Sequence, residues 1–122
     1  MNKDTINIVT SFSPKGWETY AKKMIGSANK FLSDDLHLTA YYHDFDDKTI
    51  KKFPKSKNIT FKNLNKVPSM LKYRDEMKLH DGTEGKRMPY NWRLDAIKWC
   101  HKVYALTDFS FKLVEEGVQV GW

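Results

Sequence analysis

At 122 residues, with 40% hydrophobic and 14% aromatic content, the chain is sized for a single domain around one core rather than for two domains or a disordered segment. One cysteine, Cys100, excludes an internal disulfide framework and a multi-cysteine zinc site, and no apolar stretch is long enough to span a bilayer. The net charge of +6 is uneven: residues 1–47 sum to −2 and the remainder to +8, concentrated in Lys48–Lys66, which holds seven lysines and no acid.

Such a basic run reads either as a solvated surface loop or as a contact for a polyanion, nucleic acid included. It lacks arginines, a helical face and paired aromatic platforms, so its sequence favours the loop. The start, Met1-Asn2-Lys3-Asp4-Thr5, has neither the apolar core nor the cleavage site of a signal peptide. With the lone cysteine, this makes a reducing, cytoplasmic setting the simplest expectation.

In chain order, Ile6–Phe12 is rich in β-branched residues and reads as a buried strand. Ser13-Pro14 supplies a helix start, a capping serine followed by a proline suited to the first turn. Trp17, Tyr20, Ala21, Met24, Ile25, Ala28, Phe31 and Leu32 then recur at helical spacing and predict one amphipathic helix. Ser33-Asp34-Asp35 ends it, and Leu36–Tyr42 alternates as a second strand. Strand, long helix and strand together predict a right-handed βαβ unit with a parallel pair.

The middle is less regular. Asp44-Phe45-Asp46-Asp47 reads as a loop entering a short helix around Thr49–Phe53, and Asn58–Lys62 as a third short strand. Pro68, Met70, Leu71, Tyr73, Arg74 and Met77 predict another helix, followed by a polar loop with glycines over His80–Lys86, of the kind that often moves. Asn91 is the expected cap of a helix whose apolar face is Trp92, Ala96, Trp99, Cys100, Val103 and Leu106, continuing through Phe109–Leu113. Gly117 and a strand over Val118–Trp122 close the chain. The fold class is therefore α/β, a Rossmann-like parallel sheet with flanking helices in a single domain, 1–122.

Parallel sheets of this kind bind ligands beyond the carboxyl ends of their strands. The first such point is Thr10-Ser11-Phe12-Ser13, where ordinary turn and capping chemistry weighs evenly against a nucleotide contact. Gly16 stands alone, so neither the dinucleotide fingerprint nor the phosphate-binding P-loop is present. Asp44, after the second strand, suits a base or ribose edge. Asp44-x-Asp46 mimics a pair for a hard cation, although carboxylates at such a point are usually turn residues. Arg93, Asp95 and Lys102 form a third group: Asp95 and Lys102 share a helical face, and all three read either as diphosphate or sugar contacts or as surface salt bridges. His37, His43, His80 and His101 show no recognisable ligand spacing, and His101 reads as a packed helix residue.

The order of residues resembles a family. Ile8-Val9-Thr10-Ser11-Phe12-Ser13-Pro14-Lys15-Gly16-Trp17-Glu18-x-Tyr20, Tyr41-Tyr42-His43-Asp44-Phe45 and Asn91 through Leu106 look like bacterial and phage glycosyltransferase-like proteins with a GT-A-type nucleotide-binding half. The resemblance implies a nucleoside-diphosphate sugar donor, with Thr10, Ser11 and Asp44 near the nucleoside and Arg93, Asp95 and Lys102 near the diphosphate or sugar. In that family the strand matching Val118–Trp122 runs into a D-x-D motif for manganese or magnesium. That motif and the acceptor half do not follow here, so the expectation is a donor-binding half, inactive or weakly active alone. Its expected partner is a second copy or a complementary C-terminal half that would also supply the metal. The alternative is a small basic α/β binding module without catalysis, using Lys48–Lys66 on nucleic acid or protein.

Overall fold

A computed structural model describes residues 5–116, and the expected terminal strand Val118–Trp122 lies outside the described residues. Three strands, β1 (Ile6–Phe12), β2 (Leu36–Tyr42) and β3 (Ile59–Asn63), form a parallel sheet in the order β1-β2-β3. Ile6 pairs with Leu36 and Phe12 with Tyr42; Leu38 pairs with Ile59 and Tyr42 with Asn63. The fold is thus α/β with a parallel sheet, and no described helix is long and apolar enough to cross a membrane.

Ser13 caps α1 (Pro14–Gly16) by accepting from the Gly16 N–H at 3.0 Å, with Pro14 in the first turn. The helix passes through a π-helical turn at Trp17–Ala21 into α2 (Lys22–Phe31). Trp17, Ala21 and Ile25 are buried, as their spacing predicts, but Tyr20 and Phe31 are not: they lie at one edge of the apolar stripe and stay 46% and 75% exposed. The short helix is earlier than expected. It is α3 (Asp47–Ile50), because the Asp46 carboxylate accepts from Thr49 N–H at 2.8 Å and so starts it there.

After β3, a 3-10 turn at Leu64–Lys66 leads into α4 (Pro68–Glu76). The next helix also differs from expectation. Asn91 caps only a 3-10 turn, Trp92–Leu94, and Asp95 caps the long helix α5 (Ala96–Glu115). The expected apolar face of α5 is largely the wrong one. Cys100, His101, Ala105, Phe109 and Leu113 are buried, whereas Trp99, Val103 and Leu106 are exposed. The helix is apolar on two sides, so periodicity alone had no means of choosing between them.

Side-chain alternation along β2 divides the core. Leu38, Ala40 and Tyr42 face α1, α2 and α3 with Phe12, Trp17, Ile25 and Phe53, while Tyr41 faces α4 and α5 with Leu64, Met70 and Phe109. The first cluster is dominated by aromatic rings. Phe53 lies within 6.0 Å, centroid to centroid, of Phe12, Trp17, Tyr42, Phe45 and Phe61. Among the described residues β1 is an edge strand, so the expected buried strand is buried only at Phe12, with Ile6 and Ile8 exposed.

Phe53→Ala is therefore expected to destabilise the fold by about 3–5 kcal/mol, the usual cost of emptying an aromatic core position. Phe31→Ala should change stability by less than about 0.5 kcal/mol. Urea unfolding followed by tryptophan fluorescence measures both.

Candidate functional site

The carboxyl ends of β1 and β2 open into a cleft of about 450 Å³ between the start of α1 and the start of α5. Ser11, Phe12, Ser13 and Lys15 line it from the first side, with Tyr20 beside them; Asp95, Lys98, His101 and Lys102 line it from α5. His43 and Asp81 complete the wall. A Cβ on Gly16 would lie 3.0–3.2 Å from the Tyr20 hydroxyl and ring, so this half-exposed side chain would have to shift slightly to admit one. The Tyr20 hydroxyl in turn donates weakly, at 3.5 Å, to the Ser11 carbonyl.

The helical spacing of Asp95, Lys98 and Lys102 brings all three to the cleft. Asp95 already has structural work: one carboxylate oxygen accepts from Lys98 N–H at 2.9 Å as the cap of α5, and the other accepts from the Tyr90 hydroxyl at 2.9 Å. Asp81 is similarly occupied, accepting from the Thr83 N–H and hydroxyl at 2.9 and 2.6 Å. The loop expected to be mobile, His80–Lys86, is tied down near its start, by Asn91 N–H to the Gly82 carbonyl and by Ala96 N–H to the His80 carbonyl. Gly82 has φ +93°, and a Cβ there would strike the Tyr90 ring at 2.6 Å.

Of the residues singled out from sequence, Ser11, Asp95 and Lys102 line the cleft, and Thr10 lies in an adjoining depression with Ser11 and Lys102. Asp44 and Arg93 are not among the lining residues. The Arg93 guanidinium instead sits over the Trp92 ring, 4.9 Å from its centroid. Asp44 and Asp46 do not act as a pair, because Asp46 caps α3 while Asp44 belongs to a network behind the cleft wall. The lysines of 48–66 are also dispersed. Lys57 pairs with Asp34 at 3.0 Å, and Lys62 and Lys66 line a separate depression with Lys112 and Asp108.

The network around Asp44 joins four parts of the fold. Asp44 takes φ +63°, the left-handed region that aspartate tolerates better than most residues. Asn65 holds it there: Asp44 N–H donates to Asn65 Oδ1 at 2.6 Å, and Asn65 Nδ2 donates back to Asp44 Oδ1 at 3.1 Å. From α4, Arg74 donates to both carboxylate oxygens, at 3.0 and 3.2 Å. Burial opposes ionisation of Asp44, but the hydrogen bonds from His43, Asn65 and Arg74, with the Arg74 charge, outweigh it and bring the carboxyl down to about 2.

His43 and His101 stack face to face, 3.6 Å between centroids and 7° between planes. His43 Nδ1 lies 2.8 Å from Asp44 Oδ2. His101 Nδ1 lies 3.3 Å from the Lys98 carbonyl, which can only accept, so that nitrogen carries the proton. The His101 Nε2 lone pair then faces Arg74 at 3.4 Å. Burial, the adjacent His43 and Arg74 push His101 down to about 4; burial also lowers His43, against the opposing pull of Asp44. Both rings are therefore neutral at pH 7.

Reading the sequence missed this histidine pair because 58 positions separate its members. One signal was present. His43 has the parity of Tyr41 along β2, and so belongs on the α5 side. Comparison with protein-family models, with curated proteins and with solved structures returned no match.

Asp95→Ala should cost about 0.5–2 kcal/mol through loss of the α5 cap, and Arg93→Ala less than about 0.5 kcal/mol. Thermal unfolding of the two variants beside the parent chain checks this ordering.

Proposed function

We propose that the cleft is the donor site of a glycosyltransferase-like domain that binds a nucleoside-diphosphate sugar. The observation that carries the reading is the position of three lysines, Lys15, Lys98 and Lys102, around a cleft at the carboxyl ends of parallel strands. Its volume of about 450 Å³ falls within the range of roughly 300–1,000 Å³ usual for small-molecule sites. Both carboxylates in its wall have their hydrogen bonds to neutral groups, the Thr83 and Lys98 N–H and the Tyr90 hydroxyl, and the three lysines outnumber them.

In this reading Lys98 and Lys102 meet the diphosphate as successive cations on one helical face, and Lys15 approaches it from the start of α1. The Ser11 hydroxyl and the Tyr20 ring would then meet the ribose and base. Asp44 acts indirectly, by holding His43 in the wall, and Arg93 has no part in the donor contact. The proposal concerns donor binding. Glycosyl transfer would need the acceptor half and the D-x-D metal that the family resemblance implies.

Calorimetric titration of the metal-free chain with uridine, guanosine and cytidine diphosphates tests this. One of them should bind saturably. Lys98→Ala and Lys102→Ala should each weaken that binding about tenfold or more, the worth of a charged hydrogen bond, while Arg93→Ala leaves it unchanged. Absence of saturable binding by the folded chain would overturn the reading. Binding of nucleic acid that falls steeply with salt and depends on Lys51, Lys52 and Lys55 would replace it with the polyanion-binding module.

A further inference from the structure

We propose that His43, Asp44 and His101 form a binding site for a divalent transition-metal ion of the zinc class, opening on the cleft. One ring nitrogen from each histidine and one Asp44 carboxylate oxygen lie within 4.8 Å of one another, and both rings also line the cleft wall. Three protein ligands with the fourth position towards an open cleft is the arrangement of a reactive rather than a purely structural zinc site. Two imidazoles select zinc, cobalt or nickel over magnesium and calcium, which prefer oxygen ligands throughout.

The surroundings prepare the ligands. The Lys98 carbonyl fixes the His101 tautomer and leaves Nε2 as the free base, the outer-shell hydrogen bond usual for a metal-bound histidine. The two rings stack face to face, 3.6 Å between centroids and 7° between planes, so one ring turns when both in-plane lone pairs meet at an ion. Asn65 holds Asp44 in its left-handed backbone conformation, and that conformation turns the carboxylate towards His43.

Arg74 is the counterweight. Its guanidinium makes to Asp44 and to His101 Nε2 the contacts that an ion would make, so it neutralises the carboxylate when no metal is bound. It comes from α4 on a long, flexible side chain, and an arriving ion would displace it. Metal and Arg74 therefore compete for the same two ligands, and removing Arg74 should favour the metal.

The site stands on this geometry whether or not the cleft takes a nucleotide. The test uses tag-free chain, stripped with a chelator, titrated with Zn²⁺ by calorimetry and with Co²⁺ by visible absorption, nucleotide absent. One ion per chain should bind and Mg²⁺ should not. His43→Asn, Asp44→Asn and His101→Asn should each lose the cobalt spectrum while keeping the parent circular dichroism. Arg74→Ala should tighten binding, and His80→Asn, which removes the exposed His80–Glu84 pair, should leave it unchanged. The proposal falls if neither the parent nor Arg74→Ala binds an ion. It falls equally if binding survives all three ligand substitutions or disappears with His80→Asn. Should a ligand variant fail to fold, the Arg74→Ala arm decides: affinity equal to or below that of the parent overturns the site.

Discussion

Burial of β2 on both faces is the constraint from which the remaining architecture follows. The strand pairs with β1 along one edge and with β3 along the other, and Leu38 through Tyr42 are all buried. With side chains alternating at period two, Tyr42 enters the aromatic cluster under α2, and Tyr41 enters the cluster under α5. A one-residue slip would exchange these sets and leave the Tyr41 hydroxyl without Asp108, to which it donates at 2.5 Å. That bond and burial together raise the phenol above its ordinary range, so Tyr41 remains a neutral donor tying the sheet to α5.

The same alternation delivers His43 to the α5 side just as the strand ends. There the chain turns through a left-handed aspartate, and groups from β2, the 3-10 turn after β3, α4 and α5 converge within hydrogen-bonding distance. Such convergence does two things at once. It satisfies the charge of the partly exposed Asp44 carboxylate, and it holds two neutral imidazoles against a cleft lined with lysines. Cation-rich walls and neutral nitrogen bases are different chemistries, and the fold places them side by side without requiring either to serve the other.

Local signals were legible wherever one residue acts on its own neighbours. Ser13-Pro14 marks a helix start because a hydroxyl caps an N–H three residues on, and the cap is there. Ile6–Phe12 and Leu36–Tyr42 read as strands with the observed bounds. The α5 face was not legible, because Trp99, Val103 and Leu106 make as good an apolar stripe as Cys100, Ala105 and Phe109. Only the position of the sheet decides which stripe is covered. Asn91 and Asp95 are both good caps, and four residues apart they cap different elements, a 3-10 turn and the long helix.

The sequence by itself determined the α/β class, the parallel βαβ start and the placement of Asp95, Lys98 and Lys102 on one helical face, since each depends on spacing along the chain. Tertiary structure alone decided that Arg93 stacks on Trp92 instead of entering the cleft, that Asp44 faces Arg74, and that His43 meets His101. For the last two the physical reason is sequence distance. Asp44 and Arg74 are 30 positions apart and the two histidines 58. No local periodicity carries information over that span until strand pairing and helix packing close it.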